Sequence, residues 1–306
     1  MEIINEKLTE KGRIPSQFLL PADSVGRAKM GECLGALGAY STVIGRSILG
    51  RDIECYKIGR GSRCALYLGA HHALESVSTN ILYLFAYLLL FGLSGFAAVN
   101  RVDIHRLLDM YTYYVVPAVN PDGIEMRLHG ASGSPLYERI MRMSGGRLDS
   151  WQANARGTDL NHNYAAGFFE YKKIERERGI SPGASLYSGE YPESEPESRA
   201  VANLVRVLEP KIVLSLHSQG EEIYFGPRTD GRAERGALRL SYLTGYTPSL
   251  PEGTALYGGL CDYTAALGIP SYTLEIGRGR NPLPESDIPR IFERLARALV
   301  LAPTFV

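Results

Sequence analysis

The sequence has few cysteines, no net charge and only one long apolar run. Its 306 residues include four cysteines, which are scattered without the short Cys-x-x-Cys spacing of a metal clip or redox pair. Four cysteines are too few for a disulfide scaffold, so we expect reduced thiols and a cytoplasmic location. Lysine plus arginine and aspartate plus glutamate both number 33, so the overall charge indicates neither a nucleic acid nor an anionic membrane as partner.

The first residues are charged throughout and lack an apolar segment followed by small residues. They do not have the pattern of a secretory signal. The sequence also shows no internal repeat and no clear linker. With 45% hydrophobic residues, the chain can bury a substantial core, either as one large α/β domain or as two small ones.

The one long apolar run covers residues 81–99. By count it could span a bilayer, which needs about 20 residues. However, Gly92, Ser94 and Gly95 interrupt it, and no second long apolar segment returns the chain. Buried helices of an α/β core are apolar all round, so we favour a buried helix over a membrane span and expect no membrane partner.

Strand-like runs alternate with helical patterns, which favours a largely parallel sheet. A polar residue ends each of four runs: His71-His72 follow 64–70, Asn120 follows 113–119, His217 follows 211–216 and Glu275 follows 272–274. Further predictions are an irregular lead-in over 1–25, helices over 26–45, 104–110, 259–267 and 286–300, a helix starting at 195 and a hairpin over 47–59. The stretches 123–200 and 226–256 are rich in turn residues and are predicted as loops.

The polar strand ends predict a metal site, because ligands of open α/β sheets bind outside the carboxyl ends of the strands. His72 and Glu75 lie one helical turn apart, on the same side of a turn, so both can reach one cation. A catalytic zinc takes three protein ligands and keeps a fourth position for water, and His217 is the natural third ligand. Glu275 then remains as a separate base. His71 has no carboxylate three positions later and is interpreted as a structural neighbour. The pattern is typical of a one-zinc hydrolase.

These residues resemble the zinc metallocarboxypeptidase family, and within it the branch of γ-D-glutamyl-diamino acid peptidases that act on murein peptides. The resemblance lies in strings that follow the family's order, at 44–53, 69–75, 117–123 (with Asn-Pro-Asp-Gly), 155–161, 194–199, 216–220 and 275–284. The last string is the most specific for this branch. The resemblance implies one zinc ion per chain on His72, Glu75 and His217, with Glu275 as the general base.

The resemblance also implies a three-layer α/β/α fold with a mixed, largely parallel sheet of about eight strands. We predict a single zinc-peptidase domain over residues 1–306, with neither a prosegment nor a wall-binding repeat. The predicted partner is a murein peptide.

The chain departs from the family where the substrate binds. In carboxypeptidases of the family, an arginine follows the Asp-x-Asn turn and grips the terminal carboxylate, whereas here His162 follows Asn161. Histidine lacks the guanidinium fork that suits a carboxylate. Arg278 and Arg280, beyond the base, are either cations for a diaminopimelate or glutamate carboxylate or solvated loop charges.

Two further family positions are also changed. The family's carbonyl-polarising arginine would fall near Gln152, with Arg156 close by. The family's mobile tyrosine would fall near Thr254, with Tyr257 close by. The candidate substrate contacts are therefore Arg156 and Tyr257, together with Asn161, His162, Arg278 and Arg280.

The predicted function is zinc-dependent hydrolysis of the γ-D-glutamyl-diamino acid (diaminopimelate) bond of cell-wall peptides. Three alternatives stay open: a metallocarboxypeptidase of ordinary or DL specificity, an aspartoacylase-type amide hydrolase, and a pseudoenzyme that binds wall peptides without cleaving them. The missing arginine after Asn161 argues against an ordinary carboxypeptidase, and the string at 275–284 argues against an acylase.

Overall fold

A computed structural model of the protein describes residues 14–91, 99, 102–226 and 231–306. Its strands are β1 (Tyr40–Arg46), β2 (Asp52–Gly59), β3 (Arg63–Gly69), β4 (Tyr111–Val116), β5 (Ile212–His217), β6 (Glu222–Phe225), β7 (Thr247–Ser249) and β8 (Ser271–Glu275). They form one sheet in the order β1-β2-β4-β3-β5-β8-β6-β7. The pairs β3/β4, β3/β5, β5/β8 and β6/β7 are parallel and the others antiparallel. The predicted mixed sheet of about eight strands is confirmed.

Helices cover both faces of this sheet. Those in the described part of the chain are α1 (Ser24–Ala36), α2 (Val77–Phe91), α3 (Ile104–Met110), α4 (Pro121–His129), α5 (Tyr137–Met143), α6 (Phe168–Arg178), α7 (Pro196–Leu208), α8 (Arg232–Thr244), α9 (Leu260–Ala266) and α10 (Ile288–Leu301). Side chains alternate along a strand: in β3, Ala65 and Tyr67 pack with α1, α2, α8 and α10, whereas Leu66 and Leu68 pack with α7 and α9. The three predicted layers follow.

Helix α2 contains most of the described part of the long apolar run. It is buried over 77–89 and packs against α1, α10 and the sheet. The prediction of a buried helix is therefore confirmed for this part, while residues 92–98, including the three interrupting residues, lie outside the described ranges.

Among the described residues, no helix is both long and apolar enough to cross a bilayer.

The predicted helix over 26–45 is wrong in its second half. Helix α1 ends at Ala36, Gly38 follows with a φ of 84°, and β1 begins at Tyr40. The segment 41–44 includes three β-branched residues, which favour a strand over a helix. Strand β1 pairs antiparallel with β2, so the predicted hairpin is confirmed, with its first strand earlier in the chain. Residues 1–13 of the predicted lead-in lie outside the described ranges.

The predicted loops over 123–200 and 226–256 are partly wrong, because they contain α5, α6, α8 and most of α4. Four of their glycines flank helices: Gly167 and Gly179 flank α6, and Gly231 and Gly245 flank α8, all with positive φ. Glycine adopts this conformation without a Cβ penalty. These four glycines therefore mark where α6 and α8 begin and end.

The polar strand ends meet at one edge of the sheet, because β3, β4, β5 and β8 run parallel. His72 follows β3, and Asn120 follows β4, which ends earlier than predicted, at Val116. His217 and Glu275 are the last residues of β5 and β8 and are register partners. This edge is where an open α/β sheet binds its ligands.

Candidate active site

His72, Glu75 and His217 converge on one point. Nδ1 of His72 lies 2.9 Å from Oε1 of Glu75, and Nδ1 of His217 lies 2.9 Å from Oε2 of the same carboxylate. The two imidazole Nδ1 atoms are 3.3 Å apart. A single 3-10 turn, Ala73–Glu75, follows His72 and nearly eclipses the side chains of His72 and Glu75. The structure thus brings the three predicted ligands together.

The geometry of these three side chains fits a zinc ion. Oε2 of Glu75 is buried and makes no hydrogen bond in the described part of the chain, although a ring nitrogen lies 2.9 Å away. The two Nδ1 atoms also face each other at close range. In a tetrahedral site with zinc bonds of about 2.0 Å, ligand atoms lie about 3.3 Å apart. His72, Glu75 and His217 can therefore hold zinc as three ligands and leave a fourth position open.

Asp159 fixes the orientation of His72. Its Oδ1 lies 3.0 Å from Nε2 of His72, and its Oδ2 accepts a hydrogen bond from the backbone N–H of Leu186 at 3.0 Å. Burial alone would raise the pKa of the Asp159 carboxyl, but the charge of His72 and the hydrogen bond to it hold this pKa below its ordinary value. The ionised carboxylate favours the tautomer with the proton on Nε2, which leaves Nδ1 free to bind a metal.

Glu275 lies beside the three converging side chains. It is the register partner of His217, and its carbonyl oxygen accepts a hydrogen bond from the backbone N–H of Glu221 at 2.8 Å. Burial raises the pKa of the Glu275 carboxyl well above its ordinary value, and the charge of Glu75 raises this pKa further. A carboxylate with a raised pKa next to a reacting water is suited to proton transfer.

His71 has both ring nitrogens close to protein groups. Its Nε2 lies 2.8 Å from the hydroxyl of Tyr164, and its Nδ1 lies 3.4 Å from Oγ of Ser215. The side chain is fully buried, and burial holds the pKa of His71 well below its ordinary value. These contacts agree with its interpretation as a structural neighbour.

Asn120 connects the segment that carries His72 with the segment around Gln152. Its Nδ2 donates to the carbonyl oxygens of His71, Gln152 and Ala153 at 3.1–3.2 Å. Its Oδ1 accepts from the backbone N–H of Gly123 at 2.9 Å and caps helix α4. The Asn-Pro-Asp-Gly string is therefore a helix start that braces the site.

A cleft of about 200 Å³ opens beside the three converging side chains. Asn161 and His162 line it, as does Gln152. The other described residues of its wall are His72, Asp159, Leu186, His217, Tyr224, Phe225, Gly226, Pro251, Thr254, Ala255, Gly259, Cys261, Asp262, Thr273 and Glu275.

Arg156 and Tyr257 are not among the described residues of the cleft wall. Arg156 lines a separate cavity, where its guanidinium lies 3.7 Å from Oε2 of Glu195. Tyr257 has a φ of 67° and a side chain that is 40% exposed, and its carbonyl oxygen accepts a hydrogen bond from Nδ1 of His162 at 3.0 Å. The backbone carbonyl of Tyr257 thus supports the cleft wall through His162.

Arg278 and Arg280 lie in the loop after Glu275. Nε of Arg278 lies 2.9 Å from Oε2 of the buried Glu221, while the Arg278 side chain stays 71% exposed. Arg280 is exposed. Neither belongs to the described wall of the cleft.

The sequence-based predictions missed Asp159 as the partner of His72, and Cys261, Asp262 and Thr273 as cleft residues. Asp159 also caps the turn Leu160–His162 by accepting from the backbone N–H of Asn161. An aspartate directly before the predicted binding residues Asn161 and His162 was a signal that could have identified it. Thr273 lies two residues before Glu275 in β8, so the alternation of a strand could have placed both on one face. No comparable signal marks Cys261.

The family comparison agrees with this geometry. A sequence model of the family described as "zinc carboxypeptidase" matches residues 39–298. The chain belongs to the zinc carboxypeptidase family. The zinc peptidases of this family are hydrolases.

A curated relative points in the same direction. The chain is 30% identical over 259 residues to gamma-D-glutamyl-L-diamino acid endopeptidase 1 of Lysinibacillus sphaericus. The match covers 82% of this chain and 64% of the relative, so the chain spans just under two thirds of that relative's length.

Solved structures share the fold. The thrombin-activatable fibrinolysis inhibitor superposes with a TM-score of 0.73 at 21% identity, covering 99% of this chain and 79% of that one. The murein-tripeptide amidase MpaA from Escherichia coli O157 superposes with a TM-score of 0.56 at 22% identity, covering 87% of this chain and 94% of that one. At these identities the two structures establish the carboxypeptidase fold.

Proposed function

We propose that the protein is a zinc-dependent peptidase that hydrolyses the γ-D-glutamyl-diamino acid bond of murein peptides. The observation that carries the proposal is the convergence of His72, Glu75 and His217 beside a cleft that Glu275 also lines. The choice of bond is supported by the similarity to the Lysinibacillus endopeptidase and by His162, which stands where the resemblance implies an arginine for a terminal carboxylate. The expected setting is the cytoplasm, where the substrates are murein peptide fragments.

The protein groups have separate roles in this reaction. When zinc is bound, it supplies Lewis-acid chemistry that activates water and polarises the scissile carbonyl. Glu275 accepts a proton from the attacking water. As the C–O bond forms and the C–N bond breaks, Glu275 delivers that proton to the departing amine nitrogen. Asp159 meanwhile keeps His72 in the tautomer with a free Nδ1.

Gln152 is placed to assist at the substrate carbonyl. Its carbonyl oxygen accepts from the backbone N–H of Ala73 at 3.0 Å, and its own backbone N–H donates to Ala184 at 2.8 Å. These bonds fix the residue next to the turn of the metal centre, and the residue lines the cleft. The side-chain amide of Gln152, carried on this fixed backbone, can donate a hydrogen bond to an oxygen that gains negative charge in the transition state.

Arg278 and Arg280 supply cations for substrate carboxylates outside the cleft. Their loop is tied to the segment after His217, because Nδ2 of Asn281 donates to the carbonyl oxygen of Ser218 at 2.7 Å. The bond from Arg278 to Glu221 holds one guanidinium in place while most of it faces solvent. A pre-positioned guanidinium suits carboxylate recognition.

The decisive experiment uses the tetrapeptide L-Ala-γ-D-Glu-diaminopimelate-D-Ala and the zinc-loaded protein. We expect two dipeptides as products, identified by mass spectrometry, and no cleavage after zinc is removed with a chelator. Release of free D-alanine would instead identify a carboxypeptidase.

The variant Glu275→Gln tests the base. It should retain zinc and lose about 10²–10⁴-fold in kcat, whereas Glu234→Gln, at an exposed position of α8, should match the parent. Full activity of Glu275→Gln, or cleavage that persists without zinc, would contradict the mechanism.

A further inference from the structure

The described wall of the cleft contains carboxylates and no lysine or arginine. Its three carboxylates belong to Asp159, Asp262 and Glu275. Asp159 orients His72 and Glu275 is the proposed base. Asp262 is therefore the carboxylate that the proposed reaction does not use. A substrate side chain with a positive charge would meet opposite charge at Asp262, whereas a carboxylate would meet like charge.

His162 adds an acceptor to the same wall. Its Nδ1 lies 3.0 Å from the carbonyl oxygen of Tyr257, and because a carbonyl only accepts, this nitrogen carries the proton. The ring stacks on Tyr171 with centroids 3.9 Å apart, and burial lowers the pKa of His162, which favours the neutral ring. Nε2 then presents a lone pair, and among the described residues the ring makes its hydrogen bond through Nδ1 alone.

Asp262 is anchored yet keeps one oxygen available. It lies in the first turn of α9, where its Oδ2 accepts a hydrogen bond from the backbone N–H of Gly259 at 3.2 Å. Its Oδ1 has no protein partner within the described ranges. Burial lowers the pKa of His162, and the charge of the nearby Asp262 opposes this shift. Both residues line the cleft, and each is anchored through its other polar atom.

We propose that Asp262, together with Nε2 of His162, binds the protonated side-chain amine of the diamino acid on the leaving-group side of the scissile bond. An alkylammonium group has three N–H donors and no acceptor, which matches a carboxylate oxygen and an imidazole lone pair. This inference rests on the proposed function, because that function places a diamino acid in the cleft.

The test compares two peptides that differ in one amine, L-Ala-γ-D-Glu-L-lysine and L-Ala-γ-D-Glu-L-norleucine. We expect the zinc-loaded protein to favour the lysine peptide by about 10- to 100-fold in kcat/KM, the range for a hydrogen bond to a charged group. In Asp262→Asn, which keeps an oxygen for the bond to Gly259, this ratio should fall to near 1. The matched control is Asp103→Asn, because Asp103 caps α3 with its side chain and lies outside the cleft wall, and its ratio should stay at the parent value.

Binding measurements separate the two proposals. Calorimetric affinities of both peptides for zinc-loaded Glu275→Gln report recognition without cleavage, and the lysine peptide should bind more tightly by a similar factor. If neither peptide is cut by the parent but this preference holds, the proposed function fails and the amine site stands. If the two peptides bind and react equally, or if Asp262→Asn keeps the preference, the amine site is refuted.

Discussion

Replacing Glu197 by glutamine should make the stability of the protein less dependent on pH. The Glu197 side chain has no exposed surface. Its Oε1 accepts from the backbone N–H of Ile48 at 3.1 Å, and its Oε2 accepts from Nδ2 of Asn154 at 3.2 Å. The same NH2 group donates to Oε2 of Glu195 at 2.8 Å, which places a second carboxyl group beside Glu197. An ionised Glu197 is therefore poorly compensated.

The magnitude follows from the pKa. Burial, followed by the charges of Asp122 and Glu195, raises the pKa of Glu197 from 4.5 to about 7. A carboxyl with a raised folded-state pKa binds its proton more tightly when folded, so the proton-linked stabilisation is complete below about pH 4.5 and is lost as the pH rises through about 7. The pKa of Glu197 changes from 4.5 to about 7 on folding. At about 1.4 kcal/mol per pKa unit, this change contributes about 3 kcal/mol to the free energy of unfolding at low pH.

The assay is urea unfolding at pH 5, 6, 7 and 8, with the same metal content in every sample. Between pH 5 and 8 the free energy of unfolding of the parent should fall by 2–3 kcal/mol relative to Glu197→Gln, roughly the part of the linkage that lies in this window. Glu177→Gln, at an exposed position of α6, should follow the parent. Parallel curves for the parent and Glu197→Gln would refute the reasoning.

Three further predictions concern the metal centre and its supports. Asp159→Asn should weaken zinc binding about 10- to 100-fold, because His72 loses its orienting carboxylate; competition with a chromophoric chelator measures this, and unchanged affinity would exclude the role. Asn120→Ala should lower the free energy of unfolding by roughly 2–4 kcal/mol, because three carbonyl groups and the cap of α4 lose their partner; an equally stable variant would contradict it. Removal of zinc should destabilise the folded protein by about 4 kcal/mol, relative to protein in free zinc at about 1,000 times Kd. Differential scanning calorimetry should show this as a lower Tm. An unchanged Tm would argue against zinc binding to His72, Glu75 and His217.

The metal centre could be predicted because its signals are local. The three-residue spacing of His72 and Glu75 and the polar ends of β5 and β8 are readable in the sequence, and the parallel sheet brings them together. The helices of 123–200 could not be seen in the same way, because glycines at helix ends and within loops look alike until backbone dihedrals are known. The strand β1 was missed for another reason, since its β-branched residues were outweighed by the helical pattern before it.

The substrate wall was the hardest part to predict. Whether Tyr257 offers its ring or its carbonyl depends on a positive φ, and whether Arg156 reaches the cleft depends on how the loop around Asn154 folds back on Glu195. Asp262 comes to the cleft only through the packing of α9 beside β8. Such tertiary placements leave no period or spacing in the sequence.

His217 and Glu275 are register partners on neighbouring strands. The sheet therefore positions the catalytic groups, whereas other segments position the substrate. The spacing of His217 and Glu275 is set by neighbouring strands of a sheet, about 4.8 Å apart, whereas Asn161 and Arg278 come from connecting segments. Loops tolerate substitution and insertion far better than the strands they connect. Descendants of this chain could therefore exchange one peptide for another by editing connections alone, while the distance between metal ligand and base passes unchanged from one specificity to the next.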